Sequence, residues 1–186
     1  VFREMFEERK RVFIDLLGWQ IPALAGRYEI DQFDDDEAVY IVITDSAGNH
    51  CGSARLLRTD RPHILDTIFP DLCAGEMPRA ADTREITRFC LARRLRAAER
   101  LLVRNRLVSA LVEHALGAGI STYTGVAELP WFQQILAFGW DCSPLGHALA
   151  GLAAMRINIT AETPDRLRCA GVYSPSLLVD LDRAAA

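Results

Sequence analysis

A carboxylate in the middle of a β-forming run is the first residue here that ordinary folding does not call for. In T-R-E-I-T-R-F-C-L (83–91), Glu85 and Arg88 interrupt what otherwise reads as a plain strand, and Arg55 does the same inside G-S-A-R-L-L. Charged side chains within apolar strands are seldom buried without a partner. Upstream of them stand Arg9, Phe13 and Trp19, then Asp31 and Asp34 in E-I-D-Q-F-D. Such a set offers three kinds of chemistry. A positioned carboxylate can take a proton from a nucleophile; Glu85 is the candidate, with one half of a buried ion pair as its rival role. Arginines clamp carboxylates through paired parallel bonds. Arg9, Arg55 and Arg88 could therefore tie a loop over a sheet, or meet a ligand. Aromatic faces attract cations, so Phe13 and Trp19 could cover a charged ligand or pack in the core. Asp31 and Asp34 could hold a cation, or belong to a solvated acidic loop.

The elements that must position these residues follow from periodicity and punctuation. Residues 1–17 carry apolar side chains at near-helical spacing, and Gly18 is the expected stop. Residues 20–37 read as a long acidic loop. A-V-Y-I-V-I-T-D (38–45), S-A-G-N (46–49) and the run 50–59 predict a hairpin. A short helix over 64–73 and a Pro/Gly/Ala-rich loop over 74–82 lead to the strand bearing Glu85. Alternation puts Glu85 and Arg88 on opposite faces of that strand unless a bulge intervenes. A long helix over 96–116 follows, then a strand over 120–127. A helix opened by Pro130 and stopped by Gly139 comes next, and a long strand over 147–160 ends the pattern. The order predicts an α/β fold with a mixed, largely antiparallel central sheet flanked by helices.

Composition narrows the function classes. A chain of 186 residues, 50% hydrophobic, is expected to form a single domain over 1–186. A net charge of −4 argues against nucleic acid as a partner. The acidic run 31–37 and the arginines between Arg93 and Arg106 suggest two differently charged surfaces. Five scattered cysteines without a C-x-x-C pair, and four histidines without ligand spacing, predict free thiols and no metal. No apolar stretch approaches the ~20 residues of a membrane span, and a cytoplasmic location is expected. There is no G-x-G-x-x-G, P-loop or G-x-S-x-G elbow.

Taken in order, these residues resemble the signature of the acyl-homoserine-lactone (autoinducer) synthase family. Its pattern runs R-x-x-x-F, Trp, E-x-D-x-[YF]-D, R-L-L and E-x-[ST]-R-F. The matching positions are Arg9, Phe13, Trp19, Asp31, Asp34, Arg55, Glu85 and Arg88. The resemblance covers roughly residues 3–145. It implies a fold like that of the N-acetyltransferases, with a V-split sheet whose cleft holds the acyl donor's pantetheine arm. The implied substrates are S-adenosylmethionine and an acyl thioester, carried by acyl-carrier protein or by coenzyme A. No cofactor is expected, because S-adenosylmethionine is consumed. The implied products are the lactone signal and methylthioadenosine. Glu85 would then deprotonate the amine, directly or through water, and Asp31 and Asp34 would face the ammonium and sulfonium. Thr124 sits where members contact the acyl chain, and its hydroxyl would favour 3-oxo groups.

Two departures from the family pattern stand out, and the second leaves the donor open between acyl-carrier protein and coenzyme A. Arg58 replaces the proline of R-L-L-P-T, and P-W-F-Q-Q-I-L-A-F (130–138) lacks the basic residue that many members carry for docking a carrier protein. The rival readings are a general N-acetyltransferase and a non-catalytic ligand-binding module. Against the first, A-R-R-L-R-A-A-E-R (92–100) has no glycine with which to cradle a pyrophosphate.

Overall fold

The computed structural model describes residues 1–175 and Leu178. Six strands form one sheet in the order β3-β4-β5-β6-β8-β7. They are β3 (Val39–Thr44), β4 (His50–Arg58), β5 (Thr83–Leu91), β6 (Thr122–Glu128), β7 (Asp141–Pro144) and β8 (Leu152–Asn158). Every neighbouring pair is antiparallel except β5 and β6, which run parallel. Helix α3 (Ala97–Ala118) is the crossover between those two. It buries Val103, Leu107, Val108, Leu111 and Ala115 against the sheet. Gly52 lets it come close, since a Cβ there would lie 2.8 Å from Val103 Cγ1. Helices α4 (Leu129–Leu136) and α5 (Thr163–Cys169) follow β6 and β8, and a short α2 (Ile64–Thr67) crosses the opposite face.

The parallel pairing of β5 and β6 is brief. It joins Thr83–Ile86 to Thr122–Gly125, after which the two strands part. The cause lies in β5. Between the pairs Ser53↔Cys90 and Arg55↔Thr87, Ala54 alone faces both Arg88 and Phe89. That extra residue is a bulge, and Arg88 takes a left-handed φ of 51° to make it. A bulge kinks its strand and increases the local twist, which turns β5 away from β6. Beyond Ile86 and Gly125 each strand keeps a backbone edge with no strand partner across the gap. At the point of parting, a Cβ on Gly125 would sit 3.2 Å from Ile86 O.

Several elements differ from the expectation. The N-terminal helix is α-helical only over α1 (Phe2–Arg9) and then widens into a π-helical turn over Lys10–Leu16. The wide turn buries Phe13 and leaves Leu16 and Leu17 exposed, so they are not part of the core stripe their spacing suggests. The stretch 20–37 is not one loop, because β1 (Ala23–Leu24) and β2 (Tyr28–Glu29) pair within it. The strand expected over 147–160 is shorter, since Ala150 and Gly151 both take positive φ in a tight reversal before β8. β7 and α5 were not anticipated. The acidic run 31–37 is divided, with Asp35, Asp36 and Glu37 exposed. Asp31 and Asp34 are buried against arginines, while Asp35 and Glu37 pair with Arg61 and Arg58. All five cysteines are free; Cys51 and Cys90 are buried and Cys169 is exposed. No helix is long and apolar enough to cross a membrane among the described residues.

Candidate active site

Three arginines and three carboxylates meet where the N-terminal segment lies over the sheet. Arg9 comes from α1, Arg55 from β4 and Arg88 from the β5 bulge. Glu29 ends β2, and Asp31 and Asp34 follow it. Arg9 clamps Asp34 through two bonds of 2.7 and 2.8 Å and reaches Glu29 at 2.5 Å. Arg55 clamps Asp31 at 2.6 and 3.0 Å and also meets Asp34 at 2.7 Å. Arg88 bridges Glu29 at 3.1 Å and Asp31 at 2.6 Å. Tyr40 adds its hydroxyl to Asp34, and the backbone N–H groups of Asp31 and Phe33 complete the shell. The formal charges cancel, and nearly every lone pair is used.

Such burial is tolerable only because it is paired. Desolvation by itself would raise the Asp34 pKa, but Arg9 and Arg55 overcome it and hold the carboxyl well below the usual carboxylate range. Desolvation likewise opposes charge on Arg9, and Asp34 and Glu29 reverse that. Arg88 goes the other way, with burial lowering its pKa despite Glu29 and Asp31. Asp31 and Asp34 are therefore not a solvated loop, since the arginines pair with both.

A cavity of about 640 Å³ lies beside this clasp and runs into the gap between β5 and β6. Its roof carries Phe13 and Trp19, whose rings stack at 4.7 Å with 20° between their planes. The π-helical turn and Gly18 make that stack possible, since Trp19 N–H reaches back to Phe13 O at 2.9 Å. The Arg88 guanidinium stands 5.7 and 5.6 Å from the two ring centroids. The far end is aromatic: Phe89, Trp131, Phe138 and Trp140 touch in succession.

Glu85 and Thr124 lie in the cavity wall, side by side in the parallel register. Glu85 is fully buried, and both its oxygens accept backbone N–H groups at the start of α2, from Ile64 at 2.8 Å and Leu65 at 2.9 Å. It is thus not half of an arginine ion pair. Burial pushes its carboxyl up to about 7, with those two N–H groups opposing the rise. Thr124 is fully buried too, and its hydroxyl finds no partner in the protein. Tyr123, on the other face of β6, bonds Leu111 O at 2.9 Å, as strand alternation requires.

The bulge settles the relation between Glu85 and Arg88. It lets Arg88 reach the clasp while Glu85 stays in the cavity wall. Of the positions singled out in the sequence, Phe13, Trp19, Glu85, Arg88 and Thr124 line the cavity, whereas Arg9, Arg55, Asp31 and Asp34 build the clasp beside it. Glu29 was missed, although it opens the E-I-D motif and sits at the centre of the clasp. Glu128 was missed as well; nothing in its local pattern distinguishes it from any strand-ending glutamate. No group of His, Cys, Asp or Glu among the described residues is placed to hold a metal ion.

Known proteins are similar to this chain in sequence and fold. The family model described as autoinducer synthase matches residues 1–164. An acyl-homoserine-lactone synthase of Ralstonia solanacearum is 43% identical over 83 residues, 44% of this chain and 41% of that protein. The match thus spans under half of that relative's length. The corresponding synthase of Rhizobium etli is 31% identical over 177 residues, 90% of this chain and 80% of the relative. Among solved structures, the CoA-dependent acyl-homoserine lactone synthase MesI superposes with a TM-score of 0.84 at 31% identity, over 96% of this chain and 91% of that one. TofI, solved in a ternary complex with an inhibitor and MTA, gives 0.76 at 33% identity over 89% and 88%. A putative N-acetyltransferase from Lactobacillus plantarum shares the fold at a TM-score of 0.55 and 18% identity, over 86% and 92%. With the family model spanning most of its length and this clasp and split sheet in place, the chain belongs to the autoinducer synthase family.

Proposed function

We propose that this protein is an acyl-homoserine-lactone synthase. It acylates the amine of S-adenosylmethionine with an acyl thioester and closes the product to a lactone. One observation carries the reading: a single cavity joins an aromatic roof to a split in the sheet, with a near-neutral carboxylate between them. The roof suits the adenosyl and sulfonium portion of the substrate. In the split, backbone groups of β5 and β6 without strand partners can bind the amides of an extended pantetheine arm. The aromatic end takes the acyl chain.

The reaction then has two steps. The amine nitrogen attacks the thioester carbonyl, a C–N bond forms, and the carrier's thiol leaves. A proton must go from nitrogen to a base, and a carboxyl poised near 7 is matched to that task at neutral pH. Each Glu85 oxygen accepts one N–H group and keeps a second lone pair, so the proton reaches it directly or through water. Next, the substrate's own carboxylate attacks its γ-carbon and methylthioadenosine departs, cancelling the sulfonium charge. The cavity contributes orientation to this step. Arg9, Arg55, Asp31 and Asp34 are positioning residues that hold the roof in place, with Glu29.

The donor is coenzyme A or acyl-carrier protein. The absence of a basic residue on α4 and the likeness to MesI both favour coenzyme A. The substrates are made inside cells, and the cytoplasm is the corresponding location. The test is purified protein supplied with S-adenosylmethionine and, in separate arms, acyl-CoA or acyl-carrier protein. Mass spectrometry should find equal amounts of acyl-homoserine lactone and methylthioadenosine. An open-chain amide, or no acyl product in either arm, would overturn the reading.

A further inference from the structure

Four charged side chains line the cavity: Glu85, Arg88, Arg100 and Glu128. Three are already committed. Glu85 is held by the α2 backbone, Arg88 by Glu29 and Asp31, and Arg100 donates to Ala92 O at 3.2 Å. Glu128 differs. It ends β6 just before α4, is exposed at the cavity mouth, and forms no salt bridge among the described residues. Across the cleft it accepts the Trp19 indole N–H, at a long 3.4 Å from Oε1. An uncompensated carboxylate thus touches the aromatic roof.

Resting on the activity proposed above, we infer that Glu128, together with Trp19, recognises the sulfonium of S-adenosylmethionine. A sulfonium has no N–H to donate, so hydrogen-bond acceptors alone cannot select it. Negative charge beside an aromatic face can. The ammonium is the poorer match: it must lose its proton to react, and a strong carboxylate partner would oppose that loss. The sulfonium charge is the same in the bound substrate and in the transition state of acylation, so with acylation limiting the rate Glu128 binds both equally. Its signature is therefore in KM and not in kcat. The rival role for Glu128 is a favourable charge at the start of α4, which would affect stability and leave ligand choice alone.

The experiment compares Glu128→Gln and Glu128→Asp with the unaltered protein. Affinities are measured for S-adenosylmethionine, for S-adenosylhomocysteine, which keeps the ammonium but has a neutral sulfur, and for methylthioadenosine, which has neither charge. Glu128→Gln should raise KM for S-adenosylmethionine about fivefold, the upper range for an exposed ion pair. It should leave kcat, the acyl-donor KM and both neutral-sulfur affinities unchanged, and Glu128→Asp should recover part of the loss. In the unaltered protein, added salt should weaken S-adenosylmethionine more than S-adenosylhomocysteine, a readout that needs no variant. Equal shifts for all three ligands, or none, overturn the inference. A joint loss of S-adenosylmethionine and S-adenosylhomocysteine, with methylthioadenosine spared, transfers the role to the ammonium and overturns it too. Failure of the unaltered protein to bind S-adenosylmethionine at all would remove the proposed activity, and Glu128's role with it.

Discussion

The clasp and the cavity wall are neighbours built from the same kinds of residue, and they are finished differently. In the clasp, Arg9, Arg55 and Arg88 satisfy Glu29, Asp31 and Asp34 almost completely. In the wall, Thr124 keeps a buried hydroxyl without a partner and Glu85 is held near neutrality. A saturated network resists change, because removing one member strands its partner in low dielectric. An unsaturated group is available to something else, which in the function proposed above is substrate. Charge in a strand therefore marks two different roles, and only its bonding separates them.

The sharpest way to break this contrast is Glu85→Gln. It should lower acylation by ~10²–10⁴-fold, the usual contribution of a positioned acid–base group, while S-adenosylmethionine binding persists. The unaltered enzyme should gain rate as pH rises through about 7, where Glu85 ionises, and the variant should lose that limb. Wild-type turnover in a folded Glu85→Gln protein would return Glu85 to the role of anchor for α2. Stability gives the opposite sign. The folded protein holds the Glu85 proton more tightly than the unfolded chain, so that contribution is complete below the ordinary value of 4.5 and is lost as pH rises through about 7.

Arg9→Ala tests the other side. Breaking a buried pair by removing one partner costs roughly 3–5 kcal/mol, so urea titration should show a large loss of stability, with activity falling because the roof loosens. A variant of unchanged stability would mean that the clasp is not structural. Asp34, whose carboxyl is held low, contributes stability that is present above its ordinary value of 3.8 and lost as pH falls towards its folded one. Acid unfolding of Asp34→Asn should accordingly lack part of the wild-type transition.

The smallest effect is expected at Thr124. Thr124→Val removes a hydroxyl that has no partner, so the free protein should be as stable as the wild type or slightly more so. If a 3-oxo group accepts that hydroxyl, kcat/KM for 3-oxoacyl donors should fall several-fold, in line with ~0.5–1.5 kcal/mol for one hydrogen bond, while unsubstituted donors of equal length are spared. Equal losses on both would show that Thr124 supports the strand alone.

Much of this was legible without coordinates. The hairpin over 38–59, the strand bearing Glu85, the long helix and the Pro130 helix follow from periodicity and from glycine and proline punctuation, both of which are local. The same holds for Arg55, Glu85 and Arg88, which stand out against apolar strands, whereas Arg9 in E-E-R-K-R (7–11) and Asp31 and Asp34 in an acidic run are marked by the family pattern. The sequence by itself determined which residues are chemically unusual and what kind of sheet they sit on. Who bonds whom was decided by tertiary structure. The Arg88 bulge depends on its pairing with β4, and the π-helical turn that stacks Phe13 on Trp19 depends on what it packs against. The burial of Asp31 and Asp34 and the meeting of Trp19 with Glu128 across 109 residues are both long-range. Ionisation and hydrogen bonding depend on burial and on partners brought together by the fold, and local spacing carries neither.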